Sequence, residues 1–261
     1  MHYARIAAET DAGLGCRARL GLIVLRTDET VEHEGRAILA ALDGVALYHA
    51  RIHNDVEITR ETLLAMQPLI PDVARLLPAD WGFKAIGFAC TSASMLIGDG
   101  PIALAVNSVH PGAHVTNPVA AVVAACAALG ARRIGVVTPY SRSVNDAIAA
   151  GLEARGLTIP AFVSFEEPDD SVVAKFSARA VERAVAEVAS APGVEMVFIS
   201  CTSIRAVSAV TGLERAAGKP VTSSNHALYW HMLRLAGITD ALPQFGRLYT
   251  RPLLAARAAA D

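Results

Sequence analysis

Short runs of aliphatic and β-branched residues alternate along the chain with longer stretches in which apolar positions recur every three or four residues. A compact apolar run of four to eight residues reads as a buried strand; recurrence near 3.6 reads as a helix with one buried face. By this rule strands are predicted at 20–25, 45–50, 85–89, 102–106, 133–138, 159–165, 195–200 and a short 220–223. Helices are predicted at 31–42, 59–77, 118–129, 143–155, 171–190, 203–216 and 226–236, and the alanine-rich stretch 254–260 reads as a surface helix or frayed tail. Strand followed by helix, repeated, is the pattern of βαβ units and parallel sheets.

The predicted fold class is therefore α/β, with two pseudosymmetric lobes, each a parallel sheet flanked by helices; if the halves face each other, the site lies in the cleft between them. The symmetry rests on a repeated tripeptide. Cys90-Thr91-Ser92 follows the run Ala85-Ile86-Gly87-Phe88-Ala89, and Cys201-Thr202-Ser203 follows Met196-Val197-Phe198-Ile199-Ser200, a little under half the chain later. The stretch 112–118 reads as the first crossing between halves. The last strand and helix, after Pro220, read as a return to the first. The expected division is 1–115 plus 221–261 for one lobe and 116–220 for the other.

Composition narrows the function. Of the 261 residues 53% are hydrophobic and 18% charged, as in a chain rich in buried sheet. A net charge of −2 gives no electrostatic case for nucleic acid or an anionic membrane. No apolar run approaches the roughly 20 residues of a membrane span, and the N-terminus lacks an apolar signal core. A cytoplasmic location, a small-molecule carboxylate partner and a homo-oligomeric assembly are expected. Structural disulfides are unusual in that compartment, and the four cysteines show no zinc spacing. Cys126, in a small-residue helix, reads as a core thiol, and Cys16 as inert.

Cys90 and Cys201 differ because they sit at the carboxyl ends of strands, where open α/β folds bind ligands. At the first turn of a helix, free N–H groups and the helix dipole favour thiolate. The adjacent Thr91, Ser92, Thr202 and Ser203 can cap the helix or donate to a carboxylate. A single cysteine after a buried strand is ordinarily a core residue; two in matching contexts point to chemistry. The histidines, among them His110, His114, His226 and His231, lack metal spacing and read as packing or capping groups. There is no phosphate-binding glycine loop and no G-x-S-x-G elbow. No metal and no cofactor are expected.

These turns, together with Gly21-Leu22-Ile23-Val24, Val137-Thr138-Pro139-Tyr140 and the closing Leu213-Glu214, Gly218-Lys219-Pro220-Val221, Ser224-Asn225, Trp230 and Leu233–Ile238, give the chain a family likeness. It resembles the aspartate/glutamate racemase superfamily, in the branch that holds maleate cis-trans isomerase and arylmalonate decarboxylase, and most of all the racemase-like protein of ectoine-utilisation clusters. The resemblance implies a cofactor-independent enzyme with two α/β lobes. It implies Cys90 and Cys201 as catalytic residues, acting as acid and base or as nucleophile and acid. Arylmalonate decarboxylase keeps only the second cysteine, so the pair argues against simple decarboxylation. The resemblance also implies that Tyr140 contacts a substrate carboxylate; its alternative is a turn cap after Pro139. Asn225 belongs to the closing motif.

The first loop departs from maleate isomerases, with Asp28 where they place a substrate-binding asparagine. An ionised aspartate can only accept hydrogen bonds and repels a dicarboxylate, so Asp28 suits a substrate that carries nitrogen; its alternative is a helix cap. Asp169 and Asp170 lie where the family has another asparagine, and read equally as first-turn acids. Thr116 and Asn117 open the helix after the crossing and are within reach of the cleft. The leading reading is an isomerase or racemase of a small nitrogen-bearing carboxylate. The alternatives are a maleate-type cis-trans isomerase and a non-catalytic metabolite-binding protein.

Replacing either Cys90 or Cys201 with alanine is expected to abolish turnover while the far-ultraviolet dichroism stays native. A Cys201→Ala variant working at the wild-type rate would exclude the two-thiol reading.

Overall fold

A computed structural model describes residues 1–254 except 168. The terminal stretch expected as a helix or tail lies outside the described residues beyond Leu254. Eight strands are described: β1 (Ala18–Leu25), β2 (Val45–Ile52), β3 (Ala85–Ala89), β4 (His114–Thr116), β5 (Arg133–Thr138), β6 (Thr158–Ser164), β7 (Met196–Ile199) and β8 (Val221–Ser223). They form two four-stranded sheets of orders β2-β1-β3-β4 and β6-β5-β7-β8, and every pairing is parallel. The two orders are the same once four is subtracted from each strand number. The half-to-half symmetry expected from the repeated tripeptide is thus a symmetry of strand topology, with Cys90 after β3 and Cys201 after β7.

Helices flank both sheets. The first half contributes α1 (Val31–Leu39), α2 (Arg60–Leu64), α3 (Ile70–Ala74), α4 (Thr91–Ile97) and α5 (Asp99–Asn107). Next come α6 (Pro118–Leu129), α7 (Arg142–Glu153), α8 (Asp170–Val173), α9 (Ala178–Ser190), α10 (Val210–Ala217) and α11 (Ser224–Leu235). The α6 helix joins the two cores. Its Ala121 and Ala125 belong to the cluster with Leu228, Trp230 and Leu233 of α11, while Val122 and Cys126 belong to the cluster around β5 and β7. The alanines keep α6 thin enough to lie against α11, which is buried along almost its whole length.

Five expectations are corrected here. The run 102–106 is not a strand but part of α5, where Ile102 and Val106 are buried four residues apart and the exposed Leu104 lies between them, a helical period. The fourth strand is instead His114–Thr116, too short to show a pattern of its own. The helix expected over 59–77 is broken by Pro68 and Pro71 into α2, a 3-10 turn and α3, because proline lacks the N–H and crowds the preceding turn. The helix expected over 171–190 divides into α8 and α9, the second capped by the Ser177 side chain on the Ala180 N–H. The helix expected from 203 starts only at Val210, after an irregular segment and a 3-10 turn.

The strand after Pro220 does not return to the first half. Val221–Ser223 pairs with β7 and completes the second sheet. Only the helix that follows, α11, goes back, packing on α1, β3 and β4. It meets α1 at Gly35, where an added Cβ would overlap the ring and hydroxyl of the fully buried Tyr229, whose hydroxyl donates to the Val31 carbonyl at 3.0 Å. Gly35→Ala should therefore lower stability by about 1–3 kcal/mol through overpacking. Urea unfolding with an unchanged slope and a lower midpoint is the expected result; a higher midpoint, as from a helix-propensity gain alone, would contradict it.

Candidate active site

One small cavity takes residues from both sheets. Its lining includes Cys90, Thr91 and Ser92 after β3, Cys201 and Thr202 after β7, Tyr140 after β5, Asp170 at the start of α8, and a segment after β2 running from Asn54 to Met66. All these strands deliver their residues at carboxyl ends, as a ligand site in an open parallel sheet requires. The cavity is about 30 Å³, enough for water but not for a substrate, so entry requires movement of the walls. Its two sides are tied by a backbone bridge between Glu57 and Asp169. A larger groove of about 850 Å³ lies between α9 and α10, but it contains neither cysteine nor any residue of the cavity.

Both thiols are buried. Cys90 is the N-cap residue of α4, with extended backbone, and its Sγ lies 3.7 Å from the Ser92 Oγ. Burial pushes this thiol up to about 11, with the Ala93 N–H and the Ser92 hydroxyl acting in the opposite direction. Cys201 is not at a helix start: it opens the irregular segment before α10, and the Ser203 N–H donates to its Sγ at 3.4 Å. Burial raises this thiol further, the Asp170 carboxylate adds to the rise, and the facing Tyr140 hydroxyl and Ser203 N–H oppose it. The thiolate character expected from helix termini is therefore outweighed by desolvation. Tyr140 itself is buried, and burial followed by the two nearby cysteines raises its pKa.

Of the three acidic residues lining the cavity, Asp170 is half-buried, while Asp55 and Glu57 are exposed at its rim. Asp170 accepts a 2.7 Å hydrogen bond from the Ser203 hydroxyl, and burial raises its pKa. Asp169 is exposed and caps α8 through the Ser171 N–H at 2.9 Å. Asp28 does not line the cavity. Its Oδ1 accepts from the Thr30 and Val31 N–H groups at 2.7 and 2.8 Å, so it caps α1. Its Oδ2 is buried with no hydrogen-bond partner, and burial raises the carboxyl to about 6, opposed by the Val31 and Thr30 N–H groups and the Thr202 hydroxyl. Ser203 stands behind the wall rather than in it. Asn225 is also behind it: its amide donates to the Thr202 carbonyl at 2.7 Å and to Glu34 at 2.8 Å. Thr116 bonds His231 at 2.8 Å and Asn117 caps α6, both away from the lining. His226 is buried between Thr222 and the Phe245 carbonyl, and His110 bonds the Ala74 carbonyl.

Two parts of the site escaped sequence reasoning. The segment after β2 supplies Asn54, Asp55, Glu57, Ile58 and Thr62; its signal was position alone, a polar stretch after a strand on the same sheet edge as the first cysteine turn. The other is Glu34, fully within the protein although it lies on the polar side of the α1 pattern. Its Oε1 accepts from the Ala206 and Val207 N–H groups at 2.6 and 2.7 Å, its Oε2 accepts from Asn225, and burial raises it to about 7.

The sequence profile described as Amdase, arylmalonate decarboxylase, matches residues 20–249, which include both cysteine turns. The chain belongs to the arylmalonate decarboxylase family. Within this family's range it is 28% identical over 242 residues to a maleate isomerase of Nocardia farcinica, covering 88% of this chain and 94% of that one. It is 31% identical over 147 residues, 53% of this chain, to arylmalonate decarboxylase of Bordetella bronchiseptica. The fold matches the Nocardia farcinica maleate cis-trans isomerase bound to TRIS, with a TM-score of 0.82 at 28% identity, over 89% of this chain and 98% of that one. A cysteine-to-serine mutant of the same isomerase with a covalently bound succinylcysteine intermediate matches with a TM-score of 0.81 at 27% identity, over the same shares. That relative therefore forms a carbon–sulfur bond at a cysteine. Among the described residues, no helix is long and apolar enough to cross a membrane and no three His, Cys, Asp or Glu side chains group as a metal site.

In the unliganded protein the exposed Cys16 is expected to react with iodoacetamide first, with Cys90, Cys126 and Cys201 slow near neutral pH, because thiolate and access are both needed. This reverses the order that helix-terminus activation alone gives. Mass-spectrometric labelling that finds Cys201 modified ahead of Cys16 would show an open or activated cleft.

Proposed function

We propose that the chain is a cofactor-independent isomerase or racemase of a small carboxylate that also carries nitrogen. The observation that carries this reading is the charge of the cavity lining. It holds both thiols, Asp55, Glu57 and Asp170, and no lysine, arginine or histidine. A dicarboxylate entering it would meet no opposite charge, while an ammonium or amide N–H gives Asp170 a donor beyond the Ser203 and Thr27 hydroxyls. The substrate carboxylate then falls to hydroxyls and N–H groups at Thr91, Ser92 and Thr202. Amino acids with a second nitrogen, such as 2,4-diaminobutyrate and its N-acetyl forms, fit this description and the ectoine-cluster likeness.

In racemisation one sulfur, as thiolate, takes the α-proton and becomes a thiol. The electron pair is delocalised into the substrate carboxylate, and the opposite thiol returns a proton to the other face and becomes the thiolate. A positive nitrogen in the closed cleft offsets the Asp170 and Asp28 carboxylates that hold both thiols up, so substrate binding itself favours forming the first thiolate. A second reading is maleate-type isomerisation, in which one thiolate adds to the alkene, the new single bond rotates, and the thiolate is expelled. The succinylcysteine of the related isomerase and the presence of both cysteines favour it; the acidic lining does not.

The deciding measurement is α-hydrogen exchange in deuterium oxide, followed by NMR over a panel of amino acids, their N-acetyl forms and maleate. Exchange of a nitrogen-bearing acid is expected, and Asp170→Asn should weaken its binding about 10- to 100-fold, the value of a charge-assisted hydrogen bond. The same change should strengthen any trace binding of maleate. Maleate turnover without amino-acid exchange would overturn the nitrogen reading, and tight binding without exchange in any compound would favour a non-catalytic role.

A further inference from the structure

Thr30 and Glu34, both at the start of α1, reach across to the segment that carries Cys201. The Thr30 hydroxyl donates to the Ser203 carbonyl at 2.9 Å, and Glu34 accepts from the Ala206 and Val207 N–H groups. This segment has no helical ladder of its own between Thr202 and Ala206, so its backbone donors depend on partners from outside. Asn225 of α11 closes the arrangement, donating to both the Glu34 carboxylate and the Thr202 carbonyl. The Ser203 N–H that meets the Cys201 sulfur lies within the segment held in this way.

We propose that Glu34 is a positioning residue for Cys201, a buried latch from the first sheet's α1 that fixes the Thr202–Val207 backbone so that the Ser203 N–H stays on the sulfur. A carboxylate suits the task because it accepts only, and all three groups around it donate. Alanine removes every acceptor at once and leaves buried N–H groups unpaired; glutamine keeps one acceptor oxygen but turns an amide N–H₂ toward that of Asn225. Loss of the latch frees the segment, and the N–H leaves the sulfur. Glu34 itself does not line the cavity, so its removal should act on the chemical step more than on substrate affinity.

The inference rests on Cys201 taking part in turnover, as proposed above, and its test has an arm that needs no substrate. Hydrogen–deuterium exchange on the full chain should show the Ala206 and Val207 amides exchanging at least about 10-fold faster in Glu34→Ala, with β5 and α6 unchanged, and an intermediate rate in Glu34→Gln. On whichever compound the wild type turns over, kcat should fall at least about 10-fold in Glu34→Ala with KM within about 3-fold, and less in Glu34→Gln. Should the wild type turn over none of the panel, the alkylation rate of Cys201 by iodoacetamide takes the place of kcat and should rise about 10-fold as its cover loosens. Should Glu34→Ala not fold, the Glu34→Gln variant alone must show faster exchange at those amides. Unchanged exchange at Ala206 and Val207 would overturn the latch. Faster exchange with unchanged kcat, or with unchanged Cys201 alkylation where that arm applies, would overturn its role in positioning the sulfur. A wrong substrate assignment leaves the exchange result standing.

Discussion

The contact between α6 and α11 is what lets one cavity draw on two sheets. Each sheet alone offers a row of strand ends, and in a parallel sheet those ends are where a ligand can be met by N–H groups and short side chains. The alanines of α6 allow it to lie against the buried, bulky α11, and the two cores are thereby joined at Ala121, Ala125, Val122 and Cys126. With the sheets fixed to each other, the turns after β3 and β7 both reach the same small space. The duplication of the Cys-Thr-Ser turn has chemical meaning only because of that packing.

Closure of the space sets its electrostatics. Two thiols and a phenol are taken out of water beside the half-buried Asp170, and no basic side chain shares the lining to compensate. Desolvation therefore outweighs the local donors at both sulfurs: the Ser92 hydroxyl and Ala93 N–H at Cys90, and the Tyr140 hydroxyl and Ser203 N–H at Cys201. A site of this kind holds its two thiols toward the protonated form. On the reading proposed above, a ligand bringing positive charge would lower the thiols and one bringing only negative charge would raise them.

The polar groups behind the cavity show how the Cys201 segment is held. Hydrogen bonds that in a helix would run along the backbone are here made to Glu34, Thr30 and Asn225, contributed by elements that pack on the first sheet, while Cys201 itself follows a strand of the second. Cys90, by contrast, has a helix after it, and the Ser94 hydroxyl donates to its carbonyl at 2.5 Å. The halves share strand order yet hold their cysteines by different means, which leaves the second sulfur dependent on side chains distant in the sequence.

The strand-and-helix alternation, the parallel sheets, the half-to-half symmetry and the two cysteine turns were legible in the chain itself, because each is written in local periodicity or in an exact repeat. So were Tyr140 and Asp170 as candidates, through the family likeness. What the chain could not decide were matters of pairing and burial. The three-residue strand His114–Thr116 exists because β3 offers it an edge, and Val221–Ser223 belongs to the second sheet because β7 does the same. The run 102–106 was equally apolar as strand or helix, and packing chose helix. Asp28 and Asp170 each had a helix-start alternative to a substrate-binding role, but of the two only Asp170 lines the cavity, since the N–H groups at the start of α1 occupy Asp28. Glu34 carried no signal in the sequence; it is buried because unpaired N–H groups from a segment some 170 residues away required an acceptor. Local sequence determines what a segment prefers to be, but which polar groups are cut off from water, and hence what they must bond and how they titrate, is settled only when distant segments meet.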